Sequence, residues 1–155
     1  METKYLLAGI GIFLVFVYAI GSGVWVSSSP SWYATLNRPN WQPPDFIFGI
    51  IWPYNFVVLG IAAYNVAQSL SRNLALAWIV VFAASVASAL TWAYQFYVPH
   101  NLSIAATALI IAAILTLPVL YLTFKASILV GILLVPYQIW VIIASTLAWG
   151  YSTRN

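Results

Sequence analysis

PSWYATLNRPNWQPPDFIFGIIW, residues Pro30 to Trp52, interrupts a chain that is otherwise almost uniformly apolar. It holds four of the eight prolines, three of the eight tryptophans and two of the seven charges. Proline fixes φ and donates no backbone hydrogen bond, so no continuous helix runs through Pro39, Pro43 and Pro44. The residues before prolines, Arg38, Gln42 and Pro43, are pushed toward extended geometry. The stretch therefore reads as a stiff, shaped loop. Its Trp and Tyr rings suit either a membrane–water boundary or the roof of a pocket.

On either side of this loop the chain is oil. Of 155 residues, 64% are hydrophobic and 5% are charged, where a soluble domain carries about 25% charged residues. This composition describes an all-α, multi-pass integral membrane protein of one domain, residues 1–155. Five apolar stretches have about the 20 residues needed to cross a hydrocarbon core of roughly 30 Å. They are Tyr5–Val26, Phe46–Ala67, Leu74–Val98, Leu102–Phe124 and Ile128–Trp149, the last followed by a short polar tail. The first follows Met-Glu-Thr-Lys like a signal peptide, but it is too long and lacks a small-x-small cleavage site, so it reads as a helix. Backbone groups in lipid must be satisfied within the segment, and no β-barrel alternation is present, so the expectation is a five-helix bundle. Because the last three connections are short, sequential helices are expected to be antiparallel neighbours. Lys4, Arg72 and Lys125 fall on one side of the membrane and Arg38 and Arg154 on the other, too even a split to orient the chain.

The net charge of +3 comes without a basic run, which argues against nucleic acid as a partner. There is no cysteine, and the only carboxylates, Glu2 and Asp45, lie outside the apolar spans. The single histidine, His100, sits in a Pro-His-Asn turn. One histidine without cysteine makes a poor metal site, so no metal is expected. A Ser-His-Asp set cannot be assembled, and ion coupling lacks the intramembrane ionisable groups it normally uses.

What remains is aromatic and weakly polar. In the third span Ser85, Ser88, Trp92 and Gln95 share one helical stripe. The fifth span adds Tyr137, Gln138, Trp140, Ser145 and Thr146, and the second adds Trp52 and Asn55. These groups either line an aromatic cavity or serve as interhelical glue. Pro53, Pro118 and Pro136 lie within spans, and Pro136 either shapes such a space or makes a tolerated bend. Small residues at spacing four, Ala83/Ala87 and Ala84/Ser88 in the third span and Ala19/Gly23 in the first, permit close helix approach, within one chain or across a homodimer seam. Two matches to a loose sterol-contact pattern, ending at Lys125 and Arg154, carry little weight.

These residues together resemble the TspO/MBR family, which includes the tryptophan-rich sensory proteins of bacteria and the mitochondrial translocator protein. The resemblance spans nearly the whole chain. It is most specific in the loop, at Pro30, Trp32, Tyr33, Leu36, Arg38, Pro39, Trp41, Pro43, Pro44, Phe46 and Trp52. It continues at Trp92, Phe96, Tyr97, His100 and Asn101, and at Val135, Pro136, Tyr137, Trp140 and Ala144. It implies a dimer of five-helix bundles in membrane lipid, with a pocket beneath the first loop that takes porphyrins, haem or sterols and requires no cofactor. The residues and the resemblance together mark Trp32, Tyr33, Trp41, Trp52, Asn55, Trp92, Gln95, Pro136, Tyr137, Gln138, Trp140 and Ala144 as ligand-contact candidates. Some relatives degrade protoporphyrin in light, and the tryptophans implicated there match Trp52 and Trp140, which would be the catalytic pair if this chain does so. The chain departs from the family pattern at Ala89 and Ala148, where asparagine is usual, and at Gln138, where an apolar residue is common.

Overall fold

A computed structural model describes residues 2–155. Five long helices form the body: α1 (Glu2–Val26), α3 (Asp45–Ser69), α4 (Arg72–Tyr97), α5 (Leu102–Ala126) and α6 (Ile128–Arg154). Each is long and apolar enough to span a membrane. A one-turn helix, α2 (Pro30–Tyr33), lies within the first connection. The loop expected there is thus helical for one turn. Pro30 occupies the first helical position, where its missing N–H costs nothing.

The helices close into a ring in the order α1, α3, α6, α5, α4 and back to α1. This corrects the expectation that every sequential pair packs together. The link of Leu70 and Ser71 is short, yet α3 and α4 touch little, because α1 is packed against both. A short link forces two helices to be antiparallel. It does not stop a third from wedging between them. The approach of α1 to α3 depends on Gly11, where a Cβ would stand 2.7 Å from the Ala63 Cβ. Gly23, one of the small residues expected to permit helix contact, has open space in front of it.

Hydrogen bonds pin the seams. The fully buried Trp78 of α4 donates its indole N–H toward the Val119 carbonyl at 3.2 Å and the Thr123 hydroxyl at 3.0 Å on α5. On α6, Ser145 reaches the Leu109 carbonyl at 3.0 Å and Gln138 Nε2 the Ala113 carbonyl at 3.0 Å. Each such bond within a bilayer is worth about 0.6 kcal/mol, up to about 1.7. The Asn101 side chain caps α5 by accepting from the Ile104 amide at 3.2 Å, after a turn in which His100 takes φ 61°. The tail expected after Trp149 is instead the last turn of α6. The Thr153 hydroxyl there bonds back to the Trp149 carbonyl at 3.2 Å, a local bond that lets polar residues stay helical.

Candidate functional site

At the end of the bundle that carries the long loop, the ring is not filled. The facing surfaces of α1, α3, α4 and α6 enclose a cavity of about 260 Å³, and α5 contributes nothing to it. Ala19, Ser22 and Gly23 are too small to fill their side of it. Tyr33 and Gln42 of the loop form the roof. Gly23 and Val26 line the cavity and are also exposed, so the space reaches the outer surface beside the last turn of α1.

The walls are aromatic. Trp52 stacks on Phe56 at 5.6 Å and 24°, meets Tyr18 edge-on at 5.9 Å, and stands perpendicular to Trp140 at 6.4 Å. Phe48 meets Trp140 edge-on at 5.1 Å. Opposite them, Trp92 and Phe96 of α4 face each other with centroids 6.3 Å apart. Edge-to-face and offset pairs of this kind contribute about 0.5–1.5 kcal/mol each beyond their burial, so the rings stabilise one another in the wall. The indole N–H groups of Trp92 and Trp140 are buried and have no partner among the described residues.

The roof is hydrogen-bonded to the floor of the loop's own seat. Tyr33 and Tyr151 bond through their hydroxyls at 3.0 Å, Gln42 Nε2 donates to the Tyr33 hydroxyl at 3.3 Å, and Tyr151 donates to Gln42 Oε1. Arg38 lies over the Tyr33 ring, its guanidinium carbon 5.6 Å from the centroid, and pairs with Asp45 at 3.4 Å. Both partners of that pair are exposed, so it adds little stability. It does put a cation on the roof.

Five of the twelve residues singled out from the sequence come together here: Tyr33, Trp52, Trp92, Trp140 and Ala144. The other seven lie elsewhere. Trp32 sits on the outside of the roof, stacked on His100 at 3.7 Å and 10°. Trp41, 51% exposed, and Gln138 line a separate groove on the outer face of α5 and α6. Asn55 is wholly buried, with neither end of its amide partnered among the described residues. Tyr137 is buried, and Gln95 and Pro136 half-buried, outside the cavity lining. Gln138 and Ser145 therefore act as interhelical bonds, the plainer of the two readings open to them. Of the three departures, Ala148 lines the cavity and Ala89 packs in the apolar core.

Sequence reasoning missed the α1 wall, Phe48 and Phe56 of α3, Gln42, and the α6 residues Leu147 and Tyr151, and it noted Phe96 and Tyr97 only as part of the resemblance. Small residues on α1 read as a packing motif. Tyr151 lay in the supposed tail. The site offers flat aromatic surface, buried indoles and no carboxylate, imidazole or ammonium group in its lining. It can enclose an apolar planar molecule, hold it by stacking, and supply an electron from an indole. Among the described residues, no group of three His, Cys, Asp or Glu is placed to hold a metal ion.

Residues 10–154 match the sequence profile of the TspO/MBR family. The chain is 31% identical to a tryptophan-rich protein TspO of Archaeoglobus fulgidus, over all of this chain and 99% of that protein. It is 28% identical to a tryptophan-rich sensory protein of Cereibacter sphaeroides over 88% of this chain and 86% of that one. It is 26% identical to the human translocator protein over 75% of this chain and 70% of that one.

Proposed function

The chain belongs to the TspO/MBR family, and on that premise we propose that its cavity binds a tetrapyrrole, protoporphyrin IX or haem, as a membrane sensor or carrier. The observation that carries this reading is the perpendicular pair Trp52 and Trp140, framed by Phe48 and Phe56, in a cavity without charged groups. A flat macrocycle gains stacking on such walls and loses little by leaving water. Its carboxylates stay outward, toward Arg38 on the roof. The cavity of about 260 Å³ lies just below the ~300–1,000 Å³ of drug-sized ligand sites, so a whole macrocycle enters only when the roof lifts or the α1 side widens.

The test is a titration of detergent-purified protein with protoporphyrin IX in the dark, followed by tryptophan fluorescence. Saturable quenching supports the reading. Its absence, with sterol binding in its place, would transfer the site to a lipid ligand.

A second reading, a light-dependent porphyrin-degrading enzyme, draws on the same pair. An indole beside a photoexcited macrocycle can donate one electron, leaving an indole radical cation and a macrocycle radical anion, which needs neither carboxylate nor metal; the oxidant that then opens the ring is dissolved dioxygen. Illumination of the saturated complex separates the two: bleaching beyond a protein-free control favours the enzyme, and a stable spectrum favours the sensor or carrier.

The same reading extends to a homodimer through α4. Ala84 and Ala87 lie exposed on its outer face, where small residues let a second helix approach.

A further inference from the structure

We infer that the C-terminal end of α6, from Gly150 to the capping Asn155, is a latch that holds the roof of the cavity shut, with Gly150 and Asn155 as its positioning residues. The roof loop touches this end at three places. At the first, Pro39 and Trp41 lie directly on Gly150: a Cβ there would stand 2.8 Å from Pro39 Cγ and 2.9 Å from Trp41 Cζ2. Only glycine lets the loop seat this closely, and the obstacle to any larger residue is a rigid proline ring rather than a flexible side-chain end.

At the second place, Asn155 and Asn37 bond reciprocally. The Asn37 amide donates to Asn155 Oδ1 at 2.8 Å, and Asn155 Nδ2 donates back to the Asn37 carbonyl at 3.3 Å. Asn37 Nδ2 also reaches the Arg154 carbonyl at 3.3 Å. Asn155 is itself held, since its Nδ2 bonds to the Tyr151 carbonyl at 3.0 Å. At the third place, Arg154 covers the Trp41 ring with its guanidinium carbon 5.3 Å from the centroid.

This set of contacts has the character of a catch. It lies outside the cavity, and beside the buried seat of Pro39 on Gly150 it consists of exposed residues whose polar contacts are individually weak. Between Asn37 and Trp41 on one side and Tyr33 and Gln42 on the other, the loop transmits the latch to the roof. Tyr151, one turn before Asn155, carries the roof's inner hydrogen bonds. Release of the latch therefore frees the same loop that Tyr33 and Gln42 close. Local openings of this kind set how often a buried site meets solvent.

The chain has no cysteine, which makes the test clean. Ala148→Cys places one thiol on the cavity wall, and its rate of modification by a small maleimide reports roof opening. Adding Asn155→Ala is expected to speed modification roughly fivefold or more. Asn155→Asp, which keeps the acceptor for the Asn37 amide, is expected to fall between. Gly150→Leu is expected to give the fastest rate of the series. Thermal unfolding of Asn155→Ala should match the parent, which separates a latch from a general loss of fold. Rates unchanged in both Asn155→Ala and Gly150→Leu overturn the proposal and assign entry to the side opening at Gly23 and Val26.

The latch rests on the tetrapyrrole reading only for what is exchanged, and a chase of bound protoporphyrin IX should then show faster release in the same variants. If no variant binds protoporphyrin, that reading fails while the thiol rates still decide the latch.

Discussion

Trp52 of α3 and Trp140 of α6 meet at the cavity wall with ring centroids 6.4 Å apart and planes at 90°. They come from helices that are neighbours only because the ring closes through α6. If light-driven degradation occurs in this cavity, the electron comes from this pair. Trp52→Phe and Trp140→Phe are expected each to cut the bleaching rate at least roughly tenfold, a change of about 1.4 kcal/mol in barrier. Trp149→Phe, on the outer groove, should leave it unchanged. The measurement is loss of the porphyrin absorbance under fixed illumination. Equal rates in all three variants would remove the pair from the mechanism.

Gly11 sets how closely α1 lies on α3. A methyl group there meets the Ala63 Cβ at 2.7 Å, with the Trp78 ring 3.5 Å away. Gly11→Ala should cost about 1–3 kcal/mol, the range for overpacking a closed core. Thermal unfolding in detergent measures it. An unchanged midpoint would mean that the α1–α3 seam is looser than described.

Asn55 is buried with both amide ends unpartnered among the described residues. Such groups cost about 1–3 kcal/mol each when left unsatisfied. Asn55→Leu, close in volume, is therefore expected to raise the unfolding midpoint and to leave ligand affinity alone, since Asn55 does not line the cavity. A drop in stability would show that the amide is held by a bond formed in the membrane.

For the dimer, a single cysteine at Ala87 should form an intermolecular disulfide on mild oxidation of native membranes. One at Ile114, exposed on the outer face shared by α5 and α6, should not. Equal crosslinking at the two positions would point to random collision rather than an α4 seam.

Much of the fold was legible because lipid imposes it. A bilayer demands about 20 apolar residues per crossing, so the five spans and the proline-rich loop stand out without any packing information. The ring order was not legible. Residues such as Phe13 and Leu7 are alike in polarity, yet one faces lipid and the other the core, so apolar character carries no direction. The end of α6 was misplaced because Ser152 and Thr153 look like a tail, although the Thr153 hydroxyl bonds within the helix. In the site, Trp92 was readable from its polar helical stripe, and Trp52 and Trp140 as aromatics that the family resemblance also marks. The α1 wall was not, because small residues that leave a space look the same in sequence as small residues that close one. Gln138, open in sequence to a cavity contact or to interhelical glue, bonds to the Ala113 carbonyl.

The central claim is that the ligand sits in this cavity, and Ala148 tests it most directly. This residue is 3% exposed and forms part of the wall between α6 and the space. The measurement is the dark binding curve of protoporphyrin IX for the parent protein and for Ala148→Phe, side by side. The account predicts saturable binding to the parent and affinity at least roughly tenfold weaker in the filled variant, about 1.4 kcal/mol. Equal affinity in a folded Ala148→Phe protein would contradict it and place the tetrapyrrole elsewhere on the bundle.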